Sequence, residues 1–194
     1  GRWIAYVTWS MNEGGHIWRM RSNGRGRPER LTEHAAFYTD ITFSPDGDRI
    51  VAMRGNEYIR HQTFSEFGGL ATPLDLVWLP ADGGDTTPIM PAKNARTPHF
   101  AGNPERIYVY DGAALSSVRY DGTDKREHLI VSAPRGNRNF GDEPTAEDIR
   151  ISPDGKTALA FVGKQVWALP VPTAGNKTPK TSLKGGSVPA VRIT

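Results

Sequence analysis

The sequence predicts an all-β fold built from one four-stranded antiparallel unit written about four times. Three observations predict it. The phrase FSPDGDRIVAMRG (43–55) returns almost unchanged as ISPDGKTALAFVG (151–163). Gly and Pro are abundant, at 21 and 15 of 194 residues, as frequent turns require and long helices do not. The apolar runs are short, rich in β-branched and aromatic residues, and bounded by turn dipeptides.

Strand b sets the frame. With Gly47 over Gly155, GDRIVAM (47–53) lies over GKTALAF (155–161), GRWIAYV (1–7) and PERIYVY (104–110). The shared apolar position is Ile4, Ile50, Ile107 and Ala158, at intervals of 46, 57 and 51 residues. Such self-similarity is the signature of a repeat architecture. Strand c follows as HIWRMRSNG (16–24), DLVWLPADG (75–83), LSSVRYDG (115–122) and the longer QVWALPVPTAG (165–175). Asn23-Gly24, Asp82-Gly83 and Asp121-Gly122 are hairpin signals leading into strand d. Strand d is read at PERLT (28–32), TTPIM (86–90), KREHLIV (125–131) and PAVRIT (189–194).

Strand a precedes each complete unit, as YTDITF (38–43), RTPHF (96–100) and AEDIRI (146–151). Ser-Pro-Asp-Gly joins a to b. Pro presets φ, Asp accepts local backbone hydrogen bonds, and Gly tolerates positive φ. One unit has AGNP (101–104) in this place, which predicts a looser turn. The order is therefore b-c-d and then a-b-c-d three times. It gives blades at approximately 1–34, 35–93, 94–133 and 144–194 of a single domain, 1–194. The first strand a is expected upstream of Gly1, so the piece reads either as part of a larger ring, the favoured expectation, or as a four-bladed ring that lacks one strand. Near-continuous apolar strands imply sheets covered on both faces. One sheet cannot bury both faces alone, and radial stacking of such units makes a β-propeller. Each large side chain buried between blades contributes roughly 1.5–3 kcal/mol.

FSPDGDRIVAMRG, ISPDGKTALAFVG, LVWLPADGG and IWRMRSNGRGRPERLT together resemble the TolB-type, WD-like β-propeller repeat, over essentially the whole chain. GGHIWRM, RLTEHAAFYTD, LDLVWLPADGG and RYDGTDKREHLI are similar in particular to the propellers that precede the catalytic domain of bacterial amidohydrolase-related proteins. That resemblance implies a non-catalytic segment of a larger hydrolase, acting as scaffold, substrate-access gate or protein-interaction surface. The metal-binding His and Asp of that family sit in a separate TIM-like domain, which nothing in these residues matches. The resemblance also implies a periplasmic or exported setting; the residues alone leave location open. Two alternatives stay open: a TolB-like envelope module that binds protein, and the gating propeller of a prolyl-oligopeptidase-like peptidase. The partners implied are the remainder of a parent protein or other chains completing the ring, with a protein or peptide as ligand.

The residues themselves point to little chemistry. There is no Cys, which excludes disulfides and thiolate metal sites. A net charge of +3 does not call for nucleic acid. No apolar run approaches the ~18 residues of a membrane span. His16, His34, His61, His99 and His128 show no His-x-His or His-x-x-x-His spacing, so no metal site is written locally. Ser10, Ser65 and Ser116 lie outside any Gly-x-Ser-x-Gly elbow, and no catalytic residue or cofactor site is expected in this segment. Arg19, Arg21, Arg25, Arg27 and Arg30 crowd one c–d hairpin, where rim charge discourages edge pairing. Trp3, Trp9, Trp18, Trp78 and Trp167 read as packing between blades. Strand a is innermost in a propeller. Aligned there are Asp40 with Asp148, and Thr42 with His99 and Arg150, the candidates to line a central channel. The same residues admit a plainer role, a turn cap for the Asp pair and hydrogen-bonded packing for His99. Two long loops, 58–73 and 135–145, are candidate contact sites.

Overall fold

The computed structural model describes residues 1–63, 74–92, 94–132, 146–162, 165–171, 178, 180–182 and 190–193. Within them the fold is all-β and of propeller type. The first sheet runs β1 (Trp3–Ser10), β2 (Gly14–Arg21), β3 (Glu29–Arg30), in that order. The second holds β4 (Phe37–Phe43), β5 (Arg49–Gly55), β6 (Asp75–Pro80) and β7 (Thr87–Pro91), again in sequence order. The third holds β8 (Arg96–His99), β9 (Arg106–Tyr110), β10 (Leu115–Arg119) and β11 (Arg126–Ser132). The fourth holds β12 (Asp148–Ile151), β13 (Thr157–Val162), β14 (Gln165–Pro170) and β16 (Val191–Arg192). The chain divides into two compact units, Gly1–Pro98 and His99–Thr194, with the division inside β8. No helix is long and apolar enough to cross a membrane among the described residues.

The Ser-Pro-Asp-Gly phrase folds the same way both times. Gly47 N–H donates to Ser44 O at 2.9 Å, and Gly155 N–H to Ser152 O at 2.9 Å. The two glycines sit at φ 82° and 72°, a type I turn closed by a left-handed residue. Each serine hydroxyl lies 2.5 Å from the turn aspartate, at Asp46 and Asp154. Each hydroxyl also accepts the N–H that opens strand b, from Arg49 at 2.9 Å and Thr157 at 3.0 Å. Held by these hydroxyls first and by backbone N–H groups next, both carboxyls lie below the ordinary Asp range. At AGNP the frame puts Pro104 where Gly47 stands, and Pro has no N–H to donate. Asn103 takes over: its Oδ1 accepts from Glu105 N at 3.0 Å, and its carbonyl accepts from Arg106 N at 3.2 Å. The turn survives with its closing bond moved two residues along.

The c–d hairpins repeat too. Gly24, Gly83 and Gly122 each donate to the residue three before, at 2.9, 3.0 and 3.0 Å, with positive φ.

Burial follows the repeat frame. Ile50, Ile107 and Ala158 are fully buried, whereas Ile4 is 48% exposed. Consecutive residues Ile50, Val51, Ala52 and Met53 are all at 0% exposure, so both faces of the second sheet are covered. In the first unit the core joins Ile17, Leu31, Tyr38, Ile50, Val77 and Leu79. In the second it joins Tyr108, Tyr110, Leu115, Leu129, Ile149 and Leu169, among others.

Two elements escape the sequence reading. Helix α1 (Glu57–Thr63) begins the first long loop. Its cap was legible: Asn56 Oδ1 accepts from Ile59 N at 3.0 Å, and Glu57 in the first turn pairs with Arg60. Strand β15 (Lys180–Ser182) adds to the third sheet, parallel to β11, with Ile130 opposite Lys180. Lys-Thr-Ser carries no apolar alternation and gives no signal on its own. Residues 64–73 and 135–145 of the two loops lie outside the described residues.

Candidate functional site

One diagonal contact between strands b and c changes chemistry from blade to blade. In the first sheet Trp3 on β1 lies under the Arg19 guanidinium, 4.4 Å away, and under Arg21 at 4.8 Å. In the second sheet the types are exchanged, with Arg49 on β5 lying 5.1 Å over Trp78 of β6. In the third sheet Arg106 occupies the place of Arg49, and its diagonal neighbour is Ser117, to whose Oγ it donates at 2.9 Å. Stacking on an indole leaves the N–H groups free for other acceptors, and Arg19 donates to Glu29 at 2.8 Å and to Ala81 O at 2.6 Å. An arginine facing a serine must satisfy its other donors elsewhere.

Arg106 does so while 5% exposed. Nη1 meets Asp124 Oδ2 at 2.7 Å, and Nη2 reaches the carbonyls of Ser117 and Asp124. Asp124 has φ 53°, which turns its carboxylate and carbonyl to one guanidinium. Arg126 holds the same carboxylate through two bonds of 2.9 and 2.8 Å. These two arginines, Arg126 first, hold the Asp124 carboxyl below its ordinary range. Ser117 Oγ accepts from Arg106 Nε and also lies 2.6 Å from His128 Nε2. Burial, then the charges of Arg106 and Arg126, push the His128 imidazole down toward its neutral form. His128 packs on Tyr108 with ring centroids 5.1 Å apart, and Tyr108 on His99 at 6.1 Å.

His99 closes the line: its Nε2 accepts the backbone N–H of Ile151 at 2.9 Å, linking β8 to β12. Arg150, one residue away and exposed, donates from Nε to Asp148 Oδ2 at 2.9 Å. In the first unit Asp40 is exposed at φ 49°, inside a register shift between Thr39 and Thr42. Thr42 Oγ1 makes one long bond, 3.4 Å, to Phe43 O. The structure thus places Asp148 and Arg150 on β12, and His99 on β8 of the third sheet, bonded to Ile151 of β12. Asp40 and Thr42 lie on β4 of the other unit. The His128–Ser117–Arg106–Asp124 cluster had no local spelling, because its members meet across three strands.

The remaining histidines are occupied in other ways. His16 is buried, with Nδ1 3.0 Å from Thr32 Oγ1. His61 pairs with Glu57 on α1 at 3.2 Å. His34 lies 3.1 Å from Asp85, and with Glu33 these three exposed groups bring ligand atoms within 4.8 Å of one another. Asp85 is 51 residues from His34 in sequence, so spacing did not reveal the cluster. The tryptophans are half-buried, and Arg60 stacks on Trp9 at 3.5 Å.

Chemically, the cluster is a structural brace. Ser117 is fully buried, and a guanidinium donating to its oxygen opposes a nucleophilic role.

No family model and no curated protein matches the chain. Among solved structures, the chain is similar to TolB from Acinetobacter baumannii, at 13% identity and a TM-score of 0.54, over 87% of this chain and 37% of that one. It is also similar to a periplasmic gluconolactonase from Pseudomonas aeruginosa, at 13% identity and a TM-score of 0.50, over 91% of this chain and 52% of that one. The chain therefore spans roughly a third to a half of these two proteins. The likeness bears on the fold, which is the TolB-type β-propeller.

Proposed function

We propose that this chain is a non-catalytic propeller segment that binds protein, in the manner of a TolB-like module of the bacterial envelope. The observation that carries the reading is the use of its polar side chains. Arg106, Asp124, Ser117 and His128 are consumed in one internal network, and the Ser-Pro-Asp turns consume theirs. Rigid sheets with satisfied polar interiors suit a recognition scaffold. The likeness to TolB and to a periplasmic protein supports the same reading and favours a periplasmic setting. The sequence resemblance to amidohydrolase-linked propellers makes a scaffold within a larger hydrolase the second reading.

The test is affinity capture from a Gram-negative periplasmic extract, paired with a lactone-hydrolysis assay on the purified chain. A saturable protein partner and no turnover are expected. Gluconolactone turnover that tracks the protein would overturn the non-catalytic reading. Capture of no protein would overturn the binding reading.

A further inference from the structure

The positive charge of this chain is gathered on one hairpin. Residues 19–30, RMRSNGRGRPER, hold five arginines and one glutamate, a formal +4. The whole chain is +3, so everything outside these residues sums to −1. Elsewhere arginines are met by the chain's own carboxylates, as Arg54 is by Asp75, Arg60 by Glu57 and Arg150 by Asp148. On the hairpin Arg19 is met in the same way, by Glu29. Arg21, Arg25, Arg27 and Arg30 are exposed and make no ion pair among the described residues. Asp46, Asp48 and Asp82 line a cavity at the base of the hairpin together with Arg2 and Arg19, and Arg25, Arg27 and Arg30 lie outside that lining.

The backbone holds the hairpin in shape. Gly24 N–H donates to Arg21 O at 2.9 Å, and Asn23 Oδ1 accepts from Arg25 N at 3.0 Å. Gly24 and Gly26 turn the chain at φ 72° and 86°. Trp18 opposite Arg30 and Arg19 opposite Glu29 fix the register of β2 and β3. The guanidinium groups are thus presented from a preformed frame, which lowers the ordering cost of binding.

We propose that this hairpin is the docking surface for an acidic segment of a partner protein, one whose Asp and Glu carboxylates meet Arg25, Arg27 and Arg30, with Arg21 at the near end. Charge complementarity sets the sign of the partner. Residue type sets its chemistry. All the cations of the hairpin are arginines, whose planar forks take a carboxylate through paired hydrogen bonds, as Arg126 takes Asp124. Between Arg21 and Arg30 there is no aromatic residue to stack a base and no large apolar residue to enter a bilayer. Those two lacks favour a protein over a nucleic-acid strand or a lipid surface. This deepens the protein-binding reading above and rests on it for the partner being a protein.

The test uses the full chain and a fluorescein-labelled peptide of alternating Glu and Ser. Binding is read by anisotropy and by the chemical shifts of backbone amides and Arg Nε–H groups. Saturable binding is expected, weakening as salt screens it, with shift changes confined to residues 19–30. The triple variant Arg25→Gln, Arg27→Gln, Arg30→Gln removes three exposed pairs and should bind about tenfold more weakly. All three side chains are exposed, so the variant should keep the parent's urea midpoint. Undiminished binding by the triple variant, or shift changes elsewhere in the chain, would overturn the proposal. So would tighter binding of phosphatidylglycerol vesicles or of a thymidine oligonucleotide at the same residues, which would assign the surface to lipid phosphates or to nucleic acid. Retention of a captured envelope partner by the triple variant would overturn this site while leaving the protein-binding reading intact.

Discussion

Arg106 carries more of the second unit than any motif in the sequence announces. Its guanidinium is buried and joins Ser117, Asp124 and, through Ser117, His128. Arg106→Ala leaves a hole and removes the donor to Ser117, while Arg126 stays on the exposed Asp124 carboxylate. We expect the substitution to lower the urea unfolding midpoint, chiefly through the cavity and the Ser117 hydroxyl left without that donor. His128 supplies a pH test. Its folded pKa is depressed, so the unfolded chain binds the proton more readily. Stability from this group is present above the unfolded value of about 6.5 and is lost as pH falls through the folded value. Asp46, Asp124 and Asp154 are also depressed, and their contributions are lost only below about pH 4. The unfolding free energy should fall in two steps on acidification, and His128→Gln should remove the upper one. Sequence alignment placed Arg106 in a frame with Arg49. It did not show that Ser117 replaces Trp78, because the diagonal partner depends on register.

Among the elements, strand a departs most from a plain ladder. Asp40 and Thr97 occupy the same position of the repeat, and both are left-handed, at φ 49° and 51°. The ladder shifts register at Asp40. Asp148, the third member of the frame, keeps regular pairing opposite Phe161 and turns its carboxylate to Arg150. Asp tolerates the left-handed region better than a β-branched residue does. Asp40→Asn should leave thermal stability within a few tenths of a kcal/mol, while Asp40→Val should cost about 1–2 kcal/mol. Equal effects of the two substitutions in a melting experiment would show that the backbone there is not constrained. The repeated Asp was legible in the sequence. The bulge was not, since a register shift is a property of two strands together. The turns were the most legible elements, because Ser-Pro-Asp-Gly and Asp-Gly write their hydrogen bonds within four to six residues. Helix α1 was legible only in its Asn56 cap. β15 was hidden because its pairing is with β11, some 50 residues earlier in the chain.

At the scale of the whole molecule, the claim is that one blade is written repeatedly and that repetition is the architecture. Composition and spacing foretold strands a to d in order, and the four sheets follow that order. Function was less legible, because the buried polar side chains Arg106, Ser117 and His128 bond to one another within one blade. The most direct measurement is residue-resolved amide hydrogen exchange of the isolated chain. The account predicts slow exchange in β5, β9 and β13, the b strands flanked on both sides. It predicts protected amides at Gly47 and Gly155, and at Gly24, Gly83 and Gly122. Protection confined to one block of the chain, or fast exchange throughout β9 and β13, would contradict the repeated blade.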